Sequence, residues 1–301
     1  VERKTSILSI INQKGGVGKT VTSVSLACCY AQLGEKVLLI DFDYQANATQ
    51  QLGAEELALE SGKNIAMAIR DKLTIEQVAI PTQYENMDIV AGSHELQKIA
   101  ETVQGTPRQF HLIAGLINSP KITEYSVVII DTHPSIDCFF HSALAASHYY
   151  IVPVFCESES LRGLSHCFKC VEEIRDFLNP MLTCLGCVIT KFDKSNSTHR
   201  TLEKTVRKMG EQSNFRVFDV KIPISKAIAA ASIRQEPIIH YQKSKAAPVA
   251  TAYMALAGEI QPHLKGRRLG RKITPIAVDV IGKYEDSFDN INTNTEEPLV
   301  L

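Results

Sequence analysis

Fourteen residues near the start, ILSIINQKGGVGKT at 7–20, constrain what this chain can fold into more than any other stretch. An apolar run leads into a loop holding Gly15, Gly16 and Gly18, then Lys19, Thr20 and a helix-period stretch, Val21–Leu33. The pattern G-x-x-x-x-G-K-[ST] wraps backbone N–H groups around phosphate oxygens. Its glycines allow the tight turn, and the helix behind it adds a positive dipole end. The pattern fits here from Gly18 to Thr20, while Gln13 stands where its first glycine would fall. Lys19 is expected to reach the β- and γ-phosphates, and Thr20 to ligate Mg2+ through its hydroxyl. Gly15, Gly16, Val17, Gly18 and Val21 belong to the same expected nucleotide contact. An incidental glycine-rich turn is the alternative, but it leaves the strand before, the helix after and the carboxylates downstream unexplained.

Short β-branched runs alternate with longer helical patterns through the rest of the chain. Expected strands are Ile7–Asn12, Lys36–Asp41, Met87–Ala91, Ser126–Asp131, Tyr149–Phe155, Leu182–Thr190 and Phe215–Ile222. Most are continuously apolar, as strands buried on both faces should be. Further helical stretches are Ser158–Leu178, Thr198–Gly210 and Lys245–Leu264. This alternation predicts an α/β fold of the P-loop NTPase kind, a mainly parallel twisted sheet with helices on both faces. Ligands then bind beyond the carboxyl ends of the strands. One domain over 1–264 is expected, followed at 265–301 by a basic knot, KGRRLGRK, and a polar, acidic tail. No apolar run approaches the roughly 18–20 residues of a membrane span, and a cytoplasmic protein is expected.

KGGVGKT, with a second lysine, Lys14, at its start, resembles the deviant Walker A motif of the ParA/MinD superfamily of ATPases. The resemblance runs in order over about residues 5–264 and implies ATP and Mg2+ as ligands. It implies that Lys14 reaches across an ATP-bound homodimer to the partner's nucleotide. An arginine finger delivers a cation in trans in the same way, worth on the order of 10³–10⁵ in rate. DFDYQANATQQLG at 41–53 resembles the family's switch I, D-x-D-P-Q-G-N-A-T, with Tyr44 for proline and Ala46 for glycine. Asp41 then stands near the metal, and Asp43 positions the attacking water. VVIIDTHPS at 127–135 resembles the Walker B strand and switch II, with Asp131 holding Mg2+ through water. His133 replaces one of the two prolines usual there and is read as a steric variant. Pro153, Glu157 and Gly163 match the segment P-x-x-x-E-x-x-x-x-x-G. KIPIS at 221–225 resembles the loop that cradles adenine, implicating Pro223, and Thr190, Lys191 and Asp193 stand where relatives place base-contacting residues.

Within the superfamily, the ParA-like switch I implies the partition branch, in which ATP-dependent binding to nonspecific DNA moves a cargo and a ParB-like partner stimulates hydrolysis. MinD relatives use a basic amphipathic C-terminal helix for membrane binding, and YEDSFDNINTNTEEPLVL is acidic instead. The loop begins only thirteen residues in, as in the smaller, Soj-like members. Net charge is −1, yet residues 191–245 hold twelve Lys/Arg against five Asp/Glu. Such a basic region suits a polyanion, which here implies nucleoid association. Thr198 is expected to cap a helix with Leu202, Val206 and Met209 inward and Arg200, Lys204, Arg207 and Lys208 on the opposite face. Lys226, Arg234, Lys243 and Lys245 are further candidate DNA contacts. A solvated basic face is the alternative.

The eight cysteines offer a different class of function. Cys167-x-x-Cys170 and Cys184-x-x-Cys187 approach metal-site spacing, and the Mrp-like scaffold proteins and the nitrogenase iron protein carry iron–sulfur clusters. A helix and a strand are expected to hold these pairs, and i and i+3 on a strand point to opposite faces. Small buried thiols are therefore expected.

Overall fold

All seven expected runs form strands in the computed structural model, which describes residues 5–242 and 245–265. They are β1 (Ser6–Ile10), β2 (Val37–Phe42), β4 (Met87–Val90), β5 (Val127–Thr132), β6 (Tyr149–Phe155), β7 (Thr183–Phe192) and β8 (Val217–Pro223). A two-residue β3 (Ile80–Pro81) pairs antiparallel with β4 at one edge. The remaining ladders are parallel, and the order is β3-β4-β2-β5-β1-β6-β7-β8. The chain belongs to the expected α/β class, an eight-stranded, mostly parallel sheet of the P-loop NTPase type.

Helices cover both faces. The long ones are those expected: α1 (Lys19–Gln32), α9 (Ser158–Phe177), α10 (Ser197–Ser213) and α12 (Ala247–Lys265). Between β2 and β5 lie short helices that periodicity did not disclose: α2 (Asn47–Gln51), α3 (Glu55–Ser61), α4 (Ile65–Asp71), α5 (Ile75–Val78), α6 (Leu96–Val103) and α7 (Ala114–Ile117). Two others are α8 (Cys138–Ala146) and α11 (Lys226–Ile233). One core packs α1, α11 and α12 against the sheet, where the Tyr30 hydroxyl donates to the Ala257 carbonyl at 3.2 Å. On the other face α8, α9 and α10 cover one half of the sheet, and the α4–α7 region covers the other.

The outer strands β7 and β8 depart from regular pairing. Tyr150 pairs with Cys184 but Ile151 with Gly186, so β7 carries a bulge. Gly186 has φ +142, and a Cβ there would lie 2.7 Å from the Arg216 carbonyl oxygen, so the bulge requires glycine. At the outer edge, Glu259 of α12 accepts hydrogen bonds from the backbone N–H groups of Val220 (3.0 Å) and Asp219 (3.4 Å) on β8. Arg216 Nη2 holds the same carboxylate at 2.6 Å. The basic knot and acidic tail, apart from Lys265 at the end of α12, lie outside the described residues.

Candidate active site

The loop between β1 and α1 leaves the middle of the sheet, where chain connections diverge to either side, the place at which open α/β sheets bind ligands. Asn12 shapes its start: its side chain donates to the Pro153 carbonyl (2.8 Å) and accepts from the Lys14 N–H (2.9 Å). Gly16 and Gly18 take left-handed φ of +73 and +90, and Gly18 caps α1 without a side chain. Val17 is buried, Thr20 and Val21 are half-buried, and Gly15 and Gly16 are exposed. Gln13 donates to the Gly163 carbonyl (2.8 Å) and meets His166 Nδ1 at 2.7 Å, tying the loop to α9. A glycine at position 13 would lose that tie.

The two lysines part company. Lys19 is buried, and its ammonium donates to the Lys14 carbonyl at 3.2 Å across the loop. Burial lowers its pKa, against the pull of Asp131 and Asp43. Lys14 instead reaches outward to Glu157 (2.9 Å) and Glu159 (3.3 Å) ahead of and within α9. Burial pulls its ammonium down, but bonds to the two carboxylates outweigh that and its pKa is raised.

Beneath the loop two carboxylates stand side by side, because Asp41 and Asp131 are register partners on β2 and β5. Asp41 Oδ2 accepts from the Thr49 N–H (2.8 Å) and hydroxyl (2.7 Å), and Asp131 Oδ1 accepts from Ser23 (2.7 Å). Their other oxygens, Asp41 Oδ1 and Asp131 Oδ2, are buried without a partner. Burial, with Asp131 adding repulsion, pushes Asp41 up to about 8. Burial pushes Asp131 up to about 6, against hydrogen bonds from Ser23 and Thr20 and the charge of Lys19. Two orphaned, destabilised carboxylate oxygens beside a Lys-Thr pair are what a hard divalent cation satisfies. Asp43 is buried nearby, with Oδ1 accepting from the Gln45 N–H at 2.9 Å.

The domain profile described as "AAA domain" matches residues 5–184. The sporulation initiation inhibitor protein Soj of Bacillus subtilis is 33% identical over 256 residues, covering 84% of this chain and 97% of that protein. The chromosome partitioning protein ParA of Caulobacter vibrioides is 30% identical over 255 residues, covering 84% and 93%. The chain belongs to the ParA/Soj family of P-loop ATPases. Among solved structures, a plasmid partition protein from Borrelia burgdorferi bound to AMPPNP matches with a TM-score of 0.68 and 25% identity. The match covers 86% of this chain and 98% of that one.

The remaining site residues of this ParA/Soj-family chain fall in two regions. Thr190 donates to the Val17 carbonyl (2.7 Å), and Phe192 pairs with Pro223, so the end of β7 bridges the loop and the start of 223–225. Lys191 sits between them in left-handed conformation (φ 50), its ammonium 5.5 Å from the centre of the Phe155 ring. Asp193 Oδ1 accepts from the Ser195 N–H (2.9 Å) and hydroxyl (2.6 Å).

The basic candidates do not share one face. Asn196, not Thr198, caps α10, accepting from the Thr198 N–H at 2.9 Å. The longer reach of the Asx side chain two residues earlier wins that position. Leu202, Val206 and Met209 are buried as expected, and Arg200, Lys204 and Lys208 are exposed. Arg207 departs from the set. It bonds Glu203 (3.1 Å) and the carbonyls of Val217 (3.4 Å) and Phe218 (3.2 Å), fastening α10 to β8. Lys226 and Arg234 are exposed on and just after α11, across the sheet from α10, and Lys245 is exposed before α12. Lys243 lies outside the described residues.

The cysteines sit otherwise than a regular strand would place them. The bulge at Gly186 resets the alternation of β7, so Cys184 and Cys187 both pack toward Cys167 and Cys170 rather than to opposite faces. Burial pushes Cys167 up to about 12 and Cys184 up to about 11, the opposite of what thiolate ligands need. Among the described residues no group of three or more His, Cys, Asp and Glu side chains could hold a metal ion, the cysteine pairs included.

Proposed function

We propose that this chain is a ParA-type partition ATPase that closes into a homodimer around Mg-ATP and in that state binds nonspecific double-stranded DNA. A ParB-like partner or cargo adaptor stimulates slow hydrolysis, and the cycle positions a plasmid, a chromosome or another cargo at the nucleoid in the cytoplasm. The observation that carries the proposal is the division of the two lysines. Lys19 is folded into its own loop, whereas Lys14 stands at the exposed lip beside Gly15 and Gly16. A cation at the lip serves a nucleotide approached from outside, as a second copy would bring it.

In this reading the N–H groups of Gly15–Val21 and the Lys19 ammonium receive the phosphates, and Lys191 and Pro223 border the base. Thr20 would ligate Mg2+ directly and Asp41 and Asp131 through water, which fits their unpartnered oxygens. Bound Mg2+ supplies charge neutralisation at the phosphates. Asp43 accepts a hydrogen bond from the attacking water, and Lys14 stabilises charge developing on the partner's transferred phosphoryl group. Arg200, Lys204 and Lys208 are the favoured DNA contacts, with Lys226, Arg234, Lys243 and Lys245 as a second set. A dimer doubles the phosphate contacts, so nucleotide controls affinity.

Duplex binding measured without nucleotide, with ADP and with ATP tests this. Tight binding with ATP alone is expected, at random sequence and weakening with salt. Equal affinity with ADP and ATP overturns it.

A further inference from the structure

Of the three positions at which the switches depart from the family pattern, Tyr44, Ala46 and His133, the two that replace proline touch each other. Tyr44, where switch I of the resemblance carries proline, lies against His133, where switch II does. Their ring centroids are 4.2 Å apart with planes at 38°. Tyr44 is half-buried and His133 nearly fully buried, so the contact is packed and not a surface encounter. Proline stiffens a loop covalently, one residue at a time. Two tilted rings in contact join the loops to each other instead.

The neighbouring residues extend the contact in both directions. Phe42, at the end of β2, meets Phe139 in the first turn of α8 edge to face at 5.1 Å, so the stem of switch I rests on switch II as well. His133 Nδ1 lies 3.3 Å from Asp137 Oδ2. Asp137 is in turn the N-cap of α8, with Oδ1 accepting from the N–H groups of Phe139 (2.9 Å) and Phe140 (3.2 Å). Asp43 sits between the two aromatic contacts of switch I, buried and bonded to its own loop. Further along the same loop, Ala46 is held in left-handed conformation at φ 52, which an alanine adopts only when its surroundings hold it there.

We propose that Tyr44 and His133 act as one positioning unit, a packed ring pair that carries switch I on switch II and sets where the Asp43 carboxylate stands during hydrolysis. The inference rests on the role of Asp43 given under the proposed function. The unit acts on turnover through Asp43. Its loss therefore lowers turnover and leaves nucleotide affinity unchanged.

The test is a double-mutant cycle on the full chain, read as turnover at saturating Mg-ATP with duplex DNA present. The dissociation constant of a fluorescent ATP analogue and the thermal midpoint are read alongside. Tyr44→Ala and His133→Ala are each expected to lower turnover about tenfold, and the double variant no further than a single one, because either change removes the whole ring contact. The analogue's dissociation constant stays within about twofold, because the pair acts through Asp43 and adds nothing to ground-state binding. Tyr44→Phe and His133→Phe keep a ring in the contact and recover most of the turnover that the alanine variants forfeit. Effects that multiply in the double variant overturn the inference. So do phenylalanine variants as slow as the alanine ones, or a defect that appears in nucleotide affinity. Asp43→Ala separates failure of the paired unit from failure of the function proposed for Asp43. If it hydrolyses ATP like the parent, the role of Asp43 is wrong and the inference goes with it. If it is inactive while Tyr44→Ala and His133→Ala turn over normally, only the paired unit is wrong.

Discussion

Lys14 and Lys19 are five residues apart and carry the same charge, yet the structure sets them in different surroundings. Lys19→Ala is expected to weaken ATP binding about 10- to 100-fold, since it removes a buried charged donor. Lys14→Ala is expected to leave nucleotide affinity within a few-fold and to lower stimulated hydrolysis by about 10³, the scale of a cation supplied in trans. Calorimetry of nucleotide binding beside phosphate release distinguishes the two, and equal hydrolysis by Lys14→Ala and the parent rules out a trans role. Asp41 makes a different prediction. The folded chain holds its proton up to about 8, whereas an unfolded chain releases it near its ordinary value of about 3.9. Between those limits the native state binds more protons, so the stability of nucleotide-free protein falls as pH rises. Thermal unfolding at about pH 5.5 and about pH 8.5 should show the lower midpoint at the higher pH, and Asp41→Asn should flatten the difference. The identities of these residues were legible in the sequence, because loop, strand ends and spacing mark them. Their partners were not. Glu157 and Glu159 on Lys14, Ser23 on Asp131 and Thr49 on Asp41 come from elements whose approach only the folded sheet decides.

Helix α10 shows where periodicity runs out. Its apolar stripe of Leu202, Val206 and Met209 was readable at helical spacing, and the burial agrees. Spacing could not show that Arg207, at the margin of the polar face, turns toward the edge strand β8 to satisfy two carbonyls and Glu203. The basic residues of α10 should therefore behave unequally. Replacing Arg200, Lys204 and Lys208 together by Ala is expected to weaken duplexes of all sequences alike. It should also make the slope of log K against log salt shallower by about 0.9 for each phosphate no longer neutralised. Arg207→Ala should leave that slope alone and lower stability by about 1 kcal/mol, read by urea unfolding, because it strips bonds that fasten helix to sheet. An unchanged slope in the triple variant removes α10 from the DNA surface. The bulge in β7 is a second such case, since the alternation that would send Cys184 and Cys187 apart holds only while the strand is regular.

At the scale of the whole molecule the parallel sheet was the most legible feature, because strands covered on both sides must be apolar throughout. The short helices between β2 and β5 were the least legible, being held by tertiary packing that no single turn of periodicity reports. The sheet also has two ends, which the sequence does not advertise and the fold treats differently. At one, β3 is two residues long and finishes in Pro81. At the other, Glu259 occupies the backbone donors of Asp219 and Val220. A sheet end with idle donors is a template on which another chain can add a strand. A chain proposed to bind duplex DNA of any sequence can meet its own kind at neighbouring sites, where such templating turns assembly into precipitation. Glu259 thus insulates the molecule. Glu259→Ala should keep its ATPase site intact yet scatter light on concentration, while Glu259→Gln, which retains an acceptor for the strand, should remain clear.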